Sequence, residues 1–166
     1  MEDAADEINN VQNSDIIKHT LFSLIYVARS KTTKDYAWII AKNLLIELGE
    51  NYSFLKYIHI DETKNLRDTI DDISVISDFD NIEPEQIGKA IQAIVDNYIT
   101  RMGPKAGYFF LTEFKKILGL EYNMIIKKMG VDLRIIDLQK KIPWLDTSQY
   151  KIKDKHDSNI AYLEKK

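Results

Sequence analysis

The chain has 166 residues, 45% of them hydrophobic and 30% charged, which suits one soluble domain with a core that needs no covalent staples. It has no cysteine, so disulfides, thiolate zinc sites, iron–sulfur clusters and cysteine nucleophiles are excluded together. The net charge of −3 hides an asymmetry: residues 1–103 carry 10 Lys+Arg against 18 Asp+Glu, and residues 104–166 carry 13 against 8. Opposed halves can attract within a fold or head to tail between subunits, whereas a concentrated basic face for nucleic acid is missing.

Residues 1–13 read as a disordered acidic tail, with Glu2, Asp3, Asp6 and Glu7 around only Ile8 and Val11. No basic, apolar leader opens the chain, and no stretch approaches the ~20 apolar residues of a membrane span, so a cytoplasmic protein without membrane contact is expected. Ser14 is the expected N-cap of a helix over about 15–29, with Ile17, Leu21, Leu24, Ile25 and Ala28 inward. Ser30 to Thr33 break the pattern, and a threonine there can cap a second helix to Leu48. Its expected inward side is Tyr36, Ile39, Ile40, Leu44 and Leu48, and Gly49 ends it. The two helices should form an antiparallel hairpin.

Tyr52 to Asp61 is aromatic and β-branched and predicts a strand. Ile73 to Ile76 predicts a second, able to pair with it antiparallel across a polar link. Asp78 to Glu83 is expected as an acidic loop. Pro84 then opens a long helix to Met102, with Ile87, Ile91, Ile94, Val95, Tyr98 and Met102 at helical spacing.

Residues 104–118 form the most clearly bounded helix. Gly103 can cap it, Pro104 suits its first position, and Gly119 stands where a left-handed residue ends a helix. Gly107, Phe110, Leu111, Phe114 and Leu118 share one side, and Gly107 is expected to let another backbone come close. A shorter helix over 121–129 follows, closed by Gly130; Val131 to Asp137 fits a strand or another helix. Pro143 and Trp144 end the expected domain, which runs over 14–145, and a polar tail occupies 146–166. The fold class is α+β: a mainly helical single domain with a small antiparallel sheet.

Each chemical motif meets a plainer explanation. Asp15, His19 and Ser23 stack on one helix side as acid, base and hydroxyl, but triads converge from separate elements beside an oxyanion hole, and a solvated polar stripe explains them better. Asp78, Asp80 and Glu83 cluster oxygen ligands, yet the glycine of a calcium loop is missing, and carboxylates before a helix favour its dipole. His19, His59 and His156 have no partner at metal-ligand spacing. No metal, cofactor or catalytic residue is therefore expected.

Phosphate-loop and dinucleotide signatures are absent. Gly103, Lys105, Gly107 and Tyr108 do place backbone N–H groups and a cation at a helix start, an anion site in principle. Tyr108, Phe109, Phe110 and Phe114 lie near Lys115, Lys116, Lys127 and Lys128, as in single-strand binders. Phe110 and Phe114 belong to the inward side, however, so nucleic acid is disfavoured.

Four runs carry a resemblance: Tyr52-Ser-Phe-Leu-Lys-Tyr-Ile-His-Ile, the Ile-Gly-Lys-Ala-Ile helix at 87–91, Gly107-Tyr-Phe-Phe-Leu and Gly130-Val-Asp-Leu. Over about 15–140 the chain resembles small output domains of ammonia-oxidising archaea, which occur alone or fused to response-regulator receivers. The shared runs are packing motifs, so no functional residue carries over, and the resemblance implies signal transduction and no reaction. The expected function is a non-catalytic cytoplasmic regulatory or signal-output module acting through protein–protein contacts as a homodimer. Its interface should use the 84–118 helix pair, with Tyr98, Met102 and Tyr108 at the edge. The alternative is a sensor of a small anion or nucleotide at the Gly103–Gly107 helix start; an enzyme has the least support.

Overall fold

The computed structural model describes residues 10–61, 70–134 and 136, with the side chains of Lys34 and of 104–108 left aside. Four α-helices dominate it: α1 (Asn13–Lys31), α2 (Lys34–Leu48), α3 (Pro84–Met102) and α4 (Pro104–Lys128). Between α2 and α3 lie two short strands, β1 (Ile58–Ile60) and β2 (Ile73–Val75), paired antiparallel with His59 opposite Ser74. The expected α+β class is what the chain adopts. The sequence-based boundaries 1–13 and 146–166 fall largely on residues outside those described, although Val11 already packs on the core.

Helix α1 is the central element and touches α2, α3, α4 and β2. All five expected inward residues are buried, and Ile16, Thr20, Ser23 and Val27 join them. At 100° per residue that buried arc covers more than half the circumference. The helix starts earlier than Ser14 predicts. Gln12 takes the cap position without a side-chain bond, and Ser14 lies inside the first turn. A distant carboxylate does the capping: Asp80 accepts from the Ser14 N–H at 2.7 Å and from its hydroxyl at 3.1 Å. Asn13 adds a bond from Nδ2 to the Ile82 carbonyl at 2.8 Å.

Of the two threonines able to cap α2, Thr33 does so, accepting from the Tyr36 N–H at 3.3 Å. The inward side differs from the prediction. Ala37, Trp38, Ile40, Ala41, Leu44 and Leu45 are buried, while Tyr36 and Ile39 face solvent. Alanines add little to a hydrophobic pattern, so the sequence underweights the side they occupy. Tyr98 of α3 reaches α2 at the first of them: it is wholly buried and donates its hydroxyl to the Ala37 carbonyl at 2.9 Å.

Only the end of the predicted 52–61 strand is extended. Ser53–Tyr57 winds as a 3₁₀ helix that buries Phe54 and Leu55, and the ladder begins at Ile58. Phe54 then meets the buried Phe79 edge-on at 5.7 Å. The expected acidic loop is likewise ordered, as a 3₁₀ helix over Ser77–Asn81. Its Phe79 enters the core while Asp80 turns to α1.

Helix α3 keeps its predicted bounds, with Pro84 in the first turn. Helix α4 bends at Gly119, whose φ of 86° and ψ of 162° break the helical path before the chain resumes it at once. The expected stop is real; its conformation is extended with positive φ, which glycine adopts freely. After Gly130, Leu133, Arg134 and Ile136 are helical, which favours the helix over the strand for this segment.

Candidate functional site

The predicted anion site begins at Gly103, between α3 and α4. Its φ of 89° and ψ of 163° nearly repeat those of Gly119, and its N–H donates to the Thr100 carbonyl at 3.2 Å. Pro104 follows at the start of α4, as its fixed φ and missing N–H favour. A β-carbon at Gly103 would meet nothing within 4 Å, so backbone conformation is the reason for glycine there. Lys105, Gly107 and Tyr108 belong to the opening turns of α4, and their side chains lie outside the described residues. The predicted close approach at Gly107 is among those outside facts.

A close glycine contact does occur, at Gly88. A β-carbon there would stand 2.0 Å from the Met129 carbonyl oxygen. Gln92, one turn on, fixes the same crossing: its Nε2 donates to the Asp132 carbonyl at 3.1 Å, and its Oε1 accepts from the Asp132 N–H at 2.7 Å. The chain after α4 is thus held to α3 by backbone contact and an amide clasp. A glycine in mid-helix between Ile87 and Ile91 was the available signal, since such a residue weakens a helix and calls for a packing reason.

The Asp15, His19 and Ser23 series is not a triad. His19 Nδ1 lies 2.8 Å from the Asp15 backbone carbonyl; facing an acceptor, it is the nitrogen that carries the proton. Ser23 is buried and donates to the His19 carbonyl at 2.7 Å, away from the imidazole. Nor is the series a solvated stripe throughout, because the His19 ring stacks on Tyr122 of α4 at 4.0 Å between centroids. Burial and the carboxylates of Asp15 and Glu121 raise the Tyr122 phenol above its ordinary value.

Among the described residues no three His, Asp or Glu side chains gather closely enough to hold a metal ion. Two buried polar atoms, Trp38 Nε1 and Asp72 Oδ2, have no hydrogen-bond partner there. Tyr98, expected at an interface edge, is wholly enclosed and its phenol is pushed far up by burial, so it cannot serve as one. Met102 is half-buried on the same core.

Large apolar side chains are exposed on two helices. On α4, Phe109 is 64% and Leu120 78% exposed, with Ile117 and Met124 also facing out. Leu120 follows the bend directly, and Asn123 bridges it by donating from Nδ2 to the carbonyls of Lys115 and Gly119, each at 2.7 Å. On α2, Tyr36, Ile39 and Ile46 form a second outward stripe. No helix among the described residues is long and apolar enough to cross a membrane.

No family model, curated protein or solved structure matches the chain.

Proposed function

We propose that this chain is a non-catalytic regulatory or signal-output module, working in the cytoplasm through protein–protein contact and pairing with a second copy of itself. The observation that carries this reading is the outward apolar side of α4, where Phe109, Ile117, Leu120 and Met124 lie among charged residues. Solvated apolar surface rimmed by charge is what association removes from water. The one acid–base–hydroxyl series, Asp15, His19 and Ser23, directs its hydrogen bonds to helix carbonyls. The resemblance to archaeal output domains supports a signalling context. The anion-sensor reading rests on a helix start alone and ranks second. Sedimentation equilibrium of the full chain at micromolar concentration and physiological salt tests the proposal. A mass rising from one chain toward two supports it, and a single-chain mass throughout rejects self-association.

A further inference from the structure

Resting on the reading of self-association, we infer how two copies pair: each seats the chain after Gly119 in the other, with that glycine as the hinge. In the single chain this second arm of α4 packs on its own α1 and α3. Tyr122 stacks on His19 of α1 at 4.0 Å between ring centroids. The Met129 backbone lies against Gly88 of α3, and Gln92 of α3 clasps the Asp132 backbone. Ile125 and Ile126 are buried with them. The residues that receive the arm all precede the hinge, so a second copy carries an identical seat.

The joint is a single residue. Gly119, with φ of 86° and ψ of 162°, is the non-helical residue inside α4. Glycine moves between that region and helical values without a steric penalty. A β-carbon there would meet nothing within 4 Å, so backbone conformation and not packing calls for the glycine. Asn123 completes the bend, its Nδ2 donating to the carbonyls of Lys115 and Gly119 at 2.7 Å each. An unbroken helix serves those two acceptors with the N–H groups of Gly119 and Asn123 instead. Rotation at one residue thus turns α4 into a continuous helix. Its inward side already suits that form: Phe110, Phe114, Leu118, Tyr122 and Ile125 follow one another at three or four residues, in step across the bend.

In a lone chain, straightening would leave Ile125, Ile126 and Met129 in water, which the hydrophobic effect opposes. Seated in a second copy, the same residues recover the same contacts. Tyr122 stacks on the second copy's His19, Met129 lies against its Gly88, and Asp132 enters its Gln92 clasp. The exchange is reciprocal, so the pair is closed and two-fold. Single chain and exchanged pair then differ chiefly at the joint. There the Asn123 side-chain bonds of the bend are set against the helical bonds that straightening adds.

Two substitutions and a cross-link test the inference. Alanine has room at Gly119, resists positive φ and favours helix. Gly119→Ala should therefore strengthen pairing by about tenfold or more, since two joints act in each pair. Asn123→Ala removes bonds that only the bend makes and should act in the same direction, more weakly. Sedimentation equilibrium of the full chain from about 1 to 300 μM compares both with wild type, a range that brackets micromolar affinity. The natural chain has no cysteine, so His19→Cys combined with Tyr122→Cys reports where the arm sits. A short bis-maleimide should join the two positions within the single chain and between chains in the isolated dimer, giving a covalent dimer on a denaturing gel. Gln92→Cys combined with Asp132→Cys gives the same reading without disturbing the ring stack. Cross-links between chains, with pairing strengthened by either alanine variant, support arm exchange. A dimer that yields only internal cross-links, or that neither variant strengthens, overturns it and leaves self-association standing. A wild-type chain that stays single at every concentration overturns both.

Discussion

Gly88 and Met129 stand so close that a single added carbon on the glycine would overlap the methionine carbonyl, at 2.0 Å. The neighbour is main chain at the end of α4, which cannot rotate away as a side chain would. Gly88→Ala should therefore destabilise the protein by roughly 1–3 kcal/mol through overpacking. Helix propensity alone pulls the other way by up to about 1 kcal/mol. A chemical denaturation midpoint decides the sign; an unchanged or raised midpoint would mean that α3 and α4 part without cost.

Gln92 makes two hydrogen bonds to the backbone of Asp132. Gln92→Ala removes both, a loss of about 1–3 kcal/mol for two part-buried bonds. Hydrogen exchange gives the sharper reading. The Asp132 amide should lose protection in the variant, together with neighbours on the same segment, while amides in the middle of α1 change little. Equal loss throughout would mean that the clasp supports the whole domain and not this crossing.

Tyr98 joins α3 to α2 through its bond to the Ala37 carbonyl. Tyr98→Phe should cost about 0.5–1.5 kcal/mol at neutral pH. The pH dependence has a definite sign. Burial raises the folded phenol above its ordinary value, so above pH of about 10 the unfolded chain loses a proton that the folded chain keeps. The contribution is whole below that pH and declines as pH rises beyond it. Urea midpoints measured from about pH 8 to 11 should show the gap between wild type and Tyr98→Phe narrowing at the alkaline end. Parallel curves would contradict a phenol that stays protonated inside the fold.

Asp80 caps α1 from sixty-six residues away along the chain, through the Ser14 N–H and hydroxyl. Asp80→Ala should destabilise by about 0.5–2 kcal/mol, the range for losing an N-cap. Ser14→Ala should cost less, because the backbone N–H still reaches the carboxylate. If the two variants cost the same, the hydroxyl bond accounts for the effect and the backbone bond does not.

The helical segments, and much of what they bury, can be read from the order of residues alone. The Pro84 start, the Met102 end and the Thr33 cap depend on backbone conformations and bonds confined to a few neighbouring residues, so they are readable locally. The same holds for Ile87, Ile91, Ile94 and Val95, whose spacing on one strongly apolar side leaves one inward orientation, and for the break at Gly119. The pairing of β1 with β2 followed from two short β-branched runs near each other in the chain.

The inward side of α2 depends on its neighbours, because Ala37 and Ala41 are weak as a pattern yet both are buried, and Ala37 accepts the Tyr98 hydroxyl of α3. Tertiary structure decided the true cap of α1, since nothing local to Ser14 points to Asp80. It placed a close glycine contact at Gly88, a position that helical spacing alone does not single out, because a glycine's use depends on which backbone crosses it. The candidate surface divides in the same way. Its residues are visible in the sequence, but Phe109 and Leu120 differ from Phe110 and Leu118 only by the side of the bent helix on which packing against α1 places them. Exposure is a property of neighbours, and neighbours distant in sequence are fixed only when the chain has folded.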